Sequence, residues 1–471
     1  MKNALNMWLM VATVIAWLTW PPAIRADGDG KPPESDTNVT AVATATAALD
    51  ALLDAGDAVW QLTPNQFMEL ENRNGFHWLS QNTRDTARSA NSRLTFLGFR
   101  VWEAIARFDG AEFKEMTMSL YNHGDAGDIS EAEFDRIVKR IDRQLDQWTG
   151  SQGFTFKRED RTSTVTVMRK TWVRQPHRLD LTWSFTPRHR ESGVSVPFRA
   201  EFVRLRMSRA NPEQVLPGTV PAPEAGPSRL VSAVDLEARV KRLANGDVLV
   251  TGIPMVDQGE KGYCAAAVAE RVMRYYGRAV DQHEIAQLAS TSASRGTTYE
   301  AMIGALRRIS SHEEMEVRIL NDFDYHGFAR MMRDYNRLAK EAGQPQIAIP
   351  AGESPDLAAV FAELDAEMYK VARVKRHVGL VQFKASVKDY VSHGVPLVWS
   401  AIVGKIRETP RIETTGAFGH MRLIIGYNDR TLEILYTDTW GSGHELKRMS
   451  LDDAWTITLG LDAVLPRNVR F

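Results

Sequence analysis

Between Asn211 and Ser228 the chain carries Pro212, Pro217, Pro221, Pro223 and Pro227 with Gly and Ala among them, and no single core can run through such a stretch. Proline fixes φ and removes the backbone donor that helices and sheets need, so the segment reads as a semi-rigid spacer. A length of 471 residues also exceeds what one core organises. The expected organisation is therefore an α+β domain at 49–209, a linker at 210–230 and a second domain at 231–471. Each must stand on packing alone, because the sequence contains one cysteine, Cys264, and so no internal disulfide. With 44% hydrophobic and 25% charged residues a core is available to both. A net charge of −1 recommends neither nucleic acid nor an anionic membrane surface as a partner.

Lys2 precedes an apolar run from Met7 to Trp20, which Pro21-Pro22 ends and Ala26 follows. The run is shorter than the roughly 20 residues of a spanning helix, and a small residue before Asp27-Gly28 suits signal-peptidase cleavage. Residues 1–26 read as an export signal, with an uncleaved amino-terminal anchor on the same side of the membrane as the alternative. Residues 27–48 are mostly Asp, Gly, Pro, Ser, Thr and Ala, too poor in large apolar side chains to offset ordering entropy, and read as a flexible leader.

In the first domain Thr63-Pro64 marks a helix start. Arg93 to Val101 and Phe113 to Tyr121 read as paired strands, with Asp109-Gly110 as a turn between the runs. Ser130 and Glu133 form a possible capping box ahead of Phe134, Ile137, Ile141, Leu145 and Trp148 at helical spacing. Strands follow at Thr164 to Val173, Arg178 to Phe185 and Phe198 to Met207. Thirteen Lys and Arg against five Asp and Glu within 156–209 suggest a basic sheet face, suited either to an anionic polymer or simply to solvent. The segment Gly124 to Asp128 lacks the spaced ligands of a calcium loop.

The chemistry lies in the second domain. After Gln258, Gly259 and Gly262, the run from Cys264 to Gly277 has the Ala content and the Val268, Val272, Tyr276 spacing of a helix. A sulfur at its first turn meets unpaired N–H groups and the positive end of the macrodipole, which favour a thiolate and lower its pKa. The Gln258 amide, six residues earlier, could join the Cys264 N–H in binding an oxyanion. Downstream, Gly419-His420 opens an apolar strand, Asn428-Asp429 turns the chain, and Leu432 to Tyr436 leads into Asp438-Thr439-Trp440-Gly441. Antiparallel pairing would bring His420 beside Asp438, with Trp440 as a shield from water.

Gln258, Cys264 at a helix start, Gly-His420 on a strand and Asp438-x-Trp440-Gly441, in this order, resemble papain-like cysteine peptidases, closest to the bacteriocin-processing branch and its secreted relatives. The resemblance covers about residues 245–465. It implies an exported cysteine peptidase with a papain-like fold, a peptide or protein substrate and a thioester acyl-enzyme. Its catalytic residues would be Cys264, His420, Asp438 and Gln258. Classical members are fused to a transporter and cut after paired glycines; no transporter is evident in this sequence. Other readings are a catalytically silent binding module, or a thiol amidase or acyltransferase acting on a non-peptide substrate. Residues 310–384 read as an extended, mainly helical insertion. His283-Glu284 has no second His four residues on, and His312, His326, His377, His393 and His444 read as solvated, so neither metal nor cofactor is expected.

Overall fold

The computed structural model describes residues 47–158, 165–191, 194–211, 231–278, 280–289, 299–323, 325–349, 357–375, 377–412 and 416–471. They fall into two compact units on either side of Ala225 and Gly226. The export signal, nearly all of the expected leader and all of the proline-rich linker beyond Asn211 lie outside the described residues. Ala47–Ala48, placed in the leader by composition, instead form a short strand parallel to Leu94–Thr95. The neighbouring Leu49 is fully buried and its N–H donates to the Thr95 carbonyl, which draws these residues into the fold.

The N-terminal unit is built on an eight-stranded sheet. In spatial order its strands are His77–Trp78, Thr86–Ser89, Glu103–Asp109, Glu112–Asn122, Arg199–Arg209, His177–Thr186, Thr166–Arg174 and Phe154–Arg158, each antiparallel to its neighbours. Period-two alternation sends Met116, Met118, Leu179, Leu181, Val203, Leu205 and Met207 to one face. They share a core with Phe134, Ile141 and Leu145 of the Glu131–Thr149 helix, whose N-cap is Ser130. Arg93 to Val101 is not the partner of Phe113 to Tyr121: it folds back as Leu94–Phe96 against Phe99–Arg100, and Glu103–Asp109 takes the pairing. Left-handed backbone at Leu97 and Gly98 makes that tight reversal.

The other face of this sheet carries a ladder of ion pairs. Arg107 meets Glu115 at 2.6 Å, Glu115 meets Arg206 at 3.3 Å, Arg206 meets Asp180 at 3.0 Å, and Asp180 meets Arg178 at 3.0 Å. Much of the basic excess is thus balanced across strands. Glu115 and Asp142, the latter paired with Lys170 at 2.5 Å, lie outside residues 156–209. Phe67 sits at the centre of the apolar face, its ring 5.2 to 5.5 Å from Phe76, Phe108 and Phe113. Its helix, Pro64–Glu71, is fixed by a Thr63–Gln66 capping box. Phe67→Ala is expected to destabilise this unit by about 3–5 kcal/mol, read as a lowered denaturant midpoint.

The C-terminal unit has a six-strand path in the order Val240–Arg242, Asp247–Val250, Phe418–Asn428, Leu397–Val403, Thr458–Pro466 and Met315–Asn321. Glu433–Thr437 also pairs with Phe418–Asn428, and Lys447–Ser450 pairs with Glu433–Thr437. All of these pairings are antiparallel. The Cys264–Tyr275 helix is buried at all but one of its residues, including Glu270 and Arg271, as expected of an element enclosed on every side. The stretch 310–384 is only partly an insertion. Met315–Asn321 is an edge strand of the sheet, and the His377–Ser392 helix places Phe383 and Val387 in the main core. The helices Tyr325–Glu341, Leu357–Glu363 and Ala366–Val374 share a second, smaller core of Phe328, Met331, Met332, Tyr335, Phe361 and Tyr369, which also takes in Ile402 and Leu459 of the sheet.

Candidate active site

Positive φ at Gly259 and Gly262 lets the loop after Asp257 turn sharply into the helix. Asp257 supports this turn by accepting the Gly259 N–H at 2.8 Å. The helix begins at Cys264 without a side-chain cap, so its first N–H groups remain for another acceptor. Arg271, two turns on, ties the helix to the rest of the site. Its guanidinium donates to the Pro254 carbonyl at 2.8 Å, the Asp438 carbonyl at 2.6 Å and the Thr437 hydroxyl at 2.8 Å.

His420 lies on the central strand and Asp438 just beyond the end of the neighbouring one, where the hairpin register brings them together. His420 Nε2 is 3.2 Å from Asp438 Oδ1. The same oxygen is 2.8 Å from Arg422 Nε, and Lys447 Nζ donates to Oδ2 at 2.9 Å. A second carboxylate, Glu408, completes the cluster. It accepts from Arg422 at 3.0 Å, from Lys447 at 2.8 Å and from the Tyr436 hydroxyl at 2.6 Å. Two cations thus face two anions, all four buried. Trp440 lies flat on the His420 ring, centroids 4.1 Å apart and planes 4° from parallel.

Gln258 is attached to the same segment twice. Its backbone N–H donates to the Thr439 carbonyl at 2.9 Å, and its side-chain Oε1 accepts the Thr439 hydroxyl at 2.6 Å.

Burial raises the Asp438 carboxyl, but the charge of Arg422 and the hydrogen bond with His420 outweigh it and hold the group well below the usual carboxylate range. Asp438 is therefore an acceptor only, and His420 Nε2 must be the donor between them. Burial pulls the His420 imidazole down, with Asp438 opposing. The thiol corrects the expectation from sequence. Burial pushes Cys264 up to about 12, against the opposing Met421, Ala265 and Cys264 N–H groups. With the residue only 1% exposed, the cost of desolvating a thiolate exceeds what the helix start returns. Burial thus disfavours the charged form of each group.

Residues 250–460 match the Peptidase_C39 like family. The match supports a cysteine peptidase family for this unit and includes all four motif residues. No curated protein matches the chain.

Glu408, Arg422, Lys447 and Arg271 carried no sequence signal that separated them from ordinary surface charges. The one available hint was a charge at alternate positions of an otherwise apolar strand, as Arg422 is after His420. His444, expected in solvent, lies with Nδ1 3.9 Å from Asp438 Oδ2 and its ring edge-on to Trp440, because the Gly441–Gly443 turn folds it back. His393 stacks on Phe471 at 4.3 Å. Among the described residues no group of His, Cys, Asp or Glu is arranged to hold a metal ion, and no helix is long and apolar enough to cross a membrane.

Removing Glu408 leaves Arg422 and Lys447 buried with one anion between them. Glu408→Ala is expected to cost the unit about 3–5 kcal/mol, measured by chemical denaturation. The carboxyls of Asp438 and Glu408 are both depressed on folding, so their stabilisation is present above their unfolded values and is lost as pH falls. His420, also depressed, binds its proton more readily when unfolded and acts in the same direction. Melting temperature should fall first below about pH 6.5 and again below about pH 4; a flat profile from pH 7 to 3.5 would contradict these shifts.

Proposed function

We propose that the C-terminal unit is a papain-like cysteine peptidase that hydrolyses peptide bonds through a thioester on Cys264. The observation that carries this reading is the convergence of His420 Nε2 on Asp438 at 3.2 Å, while the Cys264 sulfur faces the N–H of Met421, the residue next to His420. Donation from Nε2–H leaves the lone pair on Nδ1, the ring nitrogen that a base for Cys264 would use. His420 takes the thiol proton as the sulfur attacks the substrate carbonyl. The Cys264 N–H and the Gln258 amide bind the oxyanion. The imidazolium then protonates the departing amine, and the neutral ring activates water to release the acyl group. Asp438 and the face of Trp440 both stabilise the transient imidazolium.

With burial disfavouring both charged forms, proton transfer accompanies attack rather than preceding it. The amino-terminal sequence supports export of the enzyme, where a lone cysteine escapes internal disulfide pairing. On its four motif sites the unit resembles the bacteriocin-processing branch, for which peptide-bond hydrolysis, and not paired-glycine specificity, is carried over.

The burial and protonation of Cys264 also suit a second reading, a silent module that binds peptide without cutting it. Digestion of an internally quenched peptide library separates the two. The wild type is expected to cleave, Cys264→Ala to lose cleavage while keeping its melting temperature, and Gln258→Ala to lose on the order of a hundredfold in kcat. Cleavage by Cys264→Ala at the wild-type rate, or peptide binding by the wild type with no cleavage, would overturn the peptidase.

A further inference from the structure

An oxyanion donor must present N–H rather than oxygen. A glutamine side chain has both at one end, related by a half-turn about its last bond. Nothing in Gln258 itself decides which of the two enters the site. The structure supplies a contact to one of the two from elsewhere in the chain. The Thr439 hydroxyl donates to Gln258 Oε1 at 2.6 Å, and the Thr439 carbonyl accepts the Gln258 N–H at 2.9 Å. Thr439 is fully buried, between Asp438, which holds His420, and Trp440, which stacks on it.

We propose that Thr439 is a positioning residue, whose hydroxyl fixes the Gln258 amide with its oxygen turned away and its NH2 group aimed at the oxyanion. The inference rests on the peptidase reading. One tripeptide, Asp438-Thr439-Trp440, then orders both halves of the chemistry: its first and third residues serve the base, and its middle residue serves the oxyanion donor. The backbone bond holds the loop in place, while the side-chain bond holds Oε1 on Thr439. With Val in place of Thr the first bond survives and the second is lost. The amide can then flip and present Oε1 to a developing negative charge, so the loss falls on the transition state and not on the bound substrate.

The test uses the full chain and the best-cleaved peptide of an internally quenched library. Thr439→Val is expected to lower kcat by roughly tenfold or more, with KM within about twofold, and Thr439→Ser to restore kcat to within about threefold of wild type. In a Gln258→Ala background Thr439→Val should have no further effect on kcat, because the group it orients is gone. Three results would overturn the inference: Thr439→Val retaining wild-type kcat, failure of Thr439→Ser to rescue, or equal losses from Thr439→Val with and without Gln258. If the wild type cleaves no peptide, or Gln258→Ala keeps full kcat, the failure lies with the peptidase reading and the inference falls with it. If Gln258→Ala is slow and Thr439→Val is not, only the inference fails.

Discussion

The Asp438 carboxylate is the contact on which the arrangement of this site depends. Fully buried, it meets His420 and Arg422 on one oxygen and Lys447 on the other. Its own carbonyl receives Arg271 from the nucleophile's helix. A bare carboxylate in such surroundings would take up a proton and cease to be a pure acceptor. Two cations prevent this, and Glu408 prevents those cations from being in excess. The ionised state of Asp438 in turn fixes which ring nitrogen of His420 carries hydrogen.

Electrostatic order of this kind is costly to build in an apolar interior, and its parts come from distant stretches of chain. Glu408 follows one central strand, Arg422 lies on the next, Lys447 begins a third, and Arg271 arrives from a helix. Removing any one leaves a buried partner short of charge. The cluster thereby couples the folding of the sheet to the geometry of the site: the strands must be in register for Asp438 to be neutralised. The same burial keeps the resting thiol protonated, so geometry and chemical readiness are separate properties here. The helix start and the Met421 N–H oppose the desolvation of Cys264 without overcoming it.

Local signals were legible in the sequence, and long-range ones were not. The Cys264–Tyr275 helix, the Glu131–Thr149 helix and the hairpin that brings His420 next to Asp438 follow from periodicity, caps and turn residues that act within about twenty positions. The strand Met315–Asn321 was hidden in a helical stretch because its pairing partner lies some 145 residues on, at Thr458–Pro466. Glu408 and Lys447 looked like ordinary polar residues because only the tertiary fold buries them. The thiol shift is not legible in the sequence for the same reason. A helix start can be read from local sequence, but the depth at which it is buried cannot. In the N-terminal unit, Glu115 and Asp142 balance an arginine and a lysine distant in sequence, because their pairing crosses strands and helices.

The protonation of His420 tests this account most directly, since Asp438, Arg422, Glu408 and Trp440 all act on that ring. Nitrogen-15 chemical shifts of the imidazole at pH 7, assigned by their loss in His420→Gln, report it without any substrate. The account predicts a neutral ring with hydrogen on Nε2 and a bare Nδ1. An imidazolium, or a neutral ring with its hydrogen on Nδ1, would contradict it.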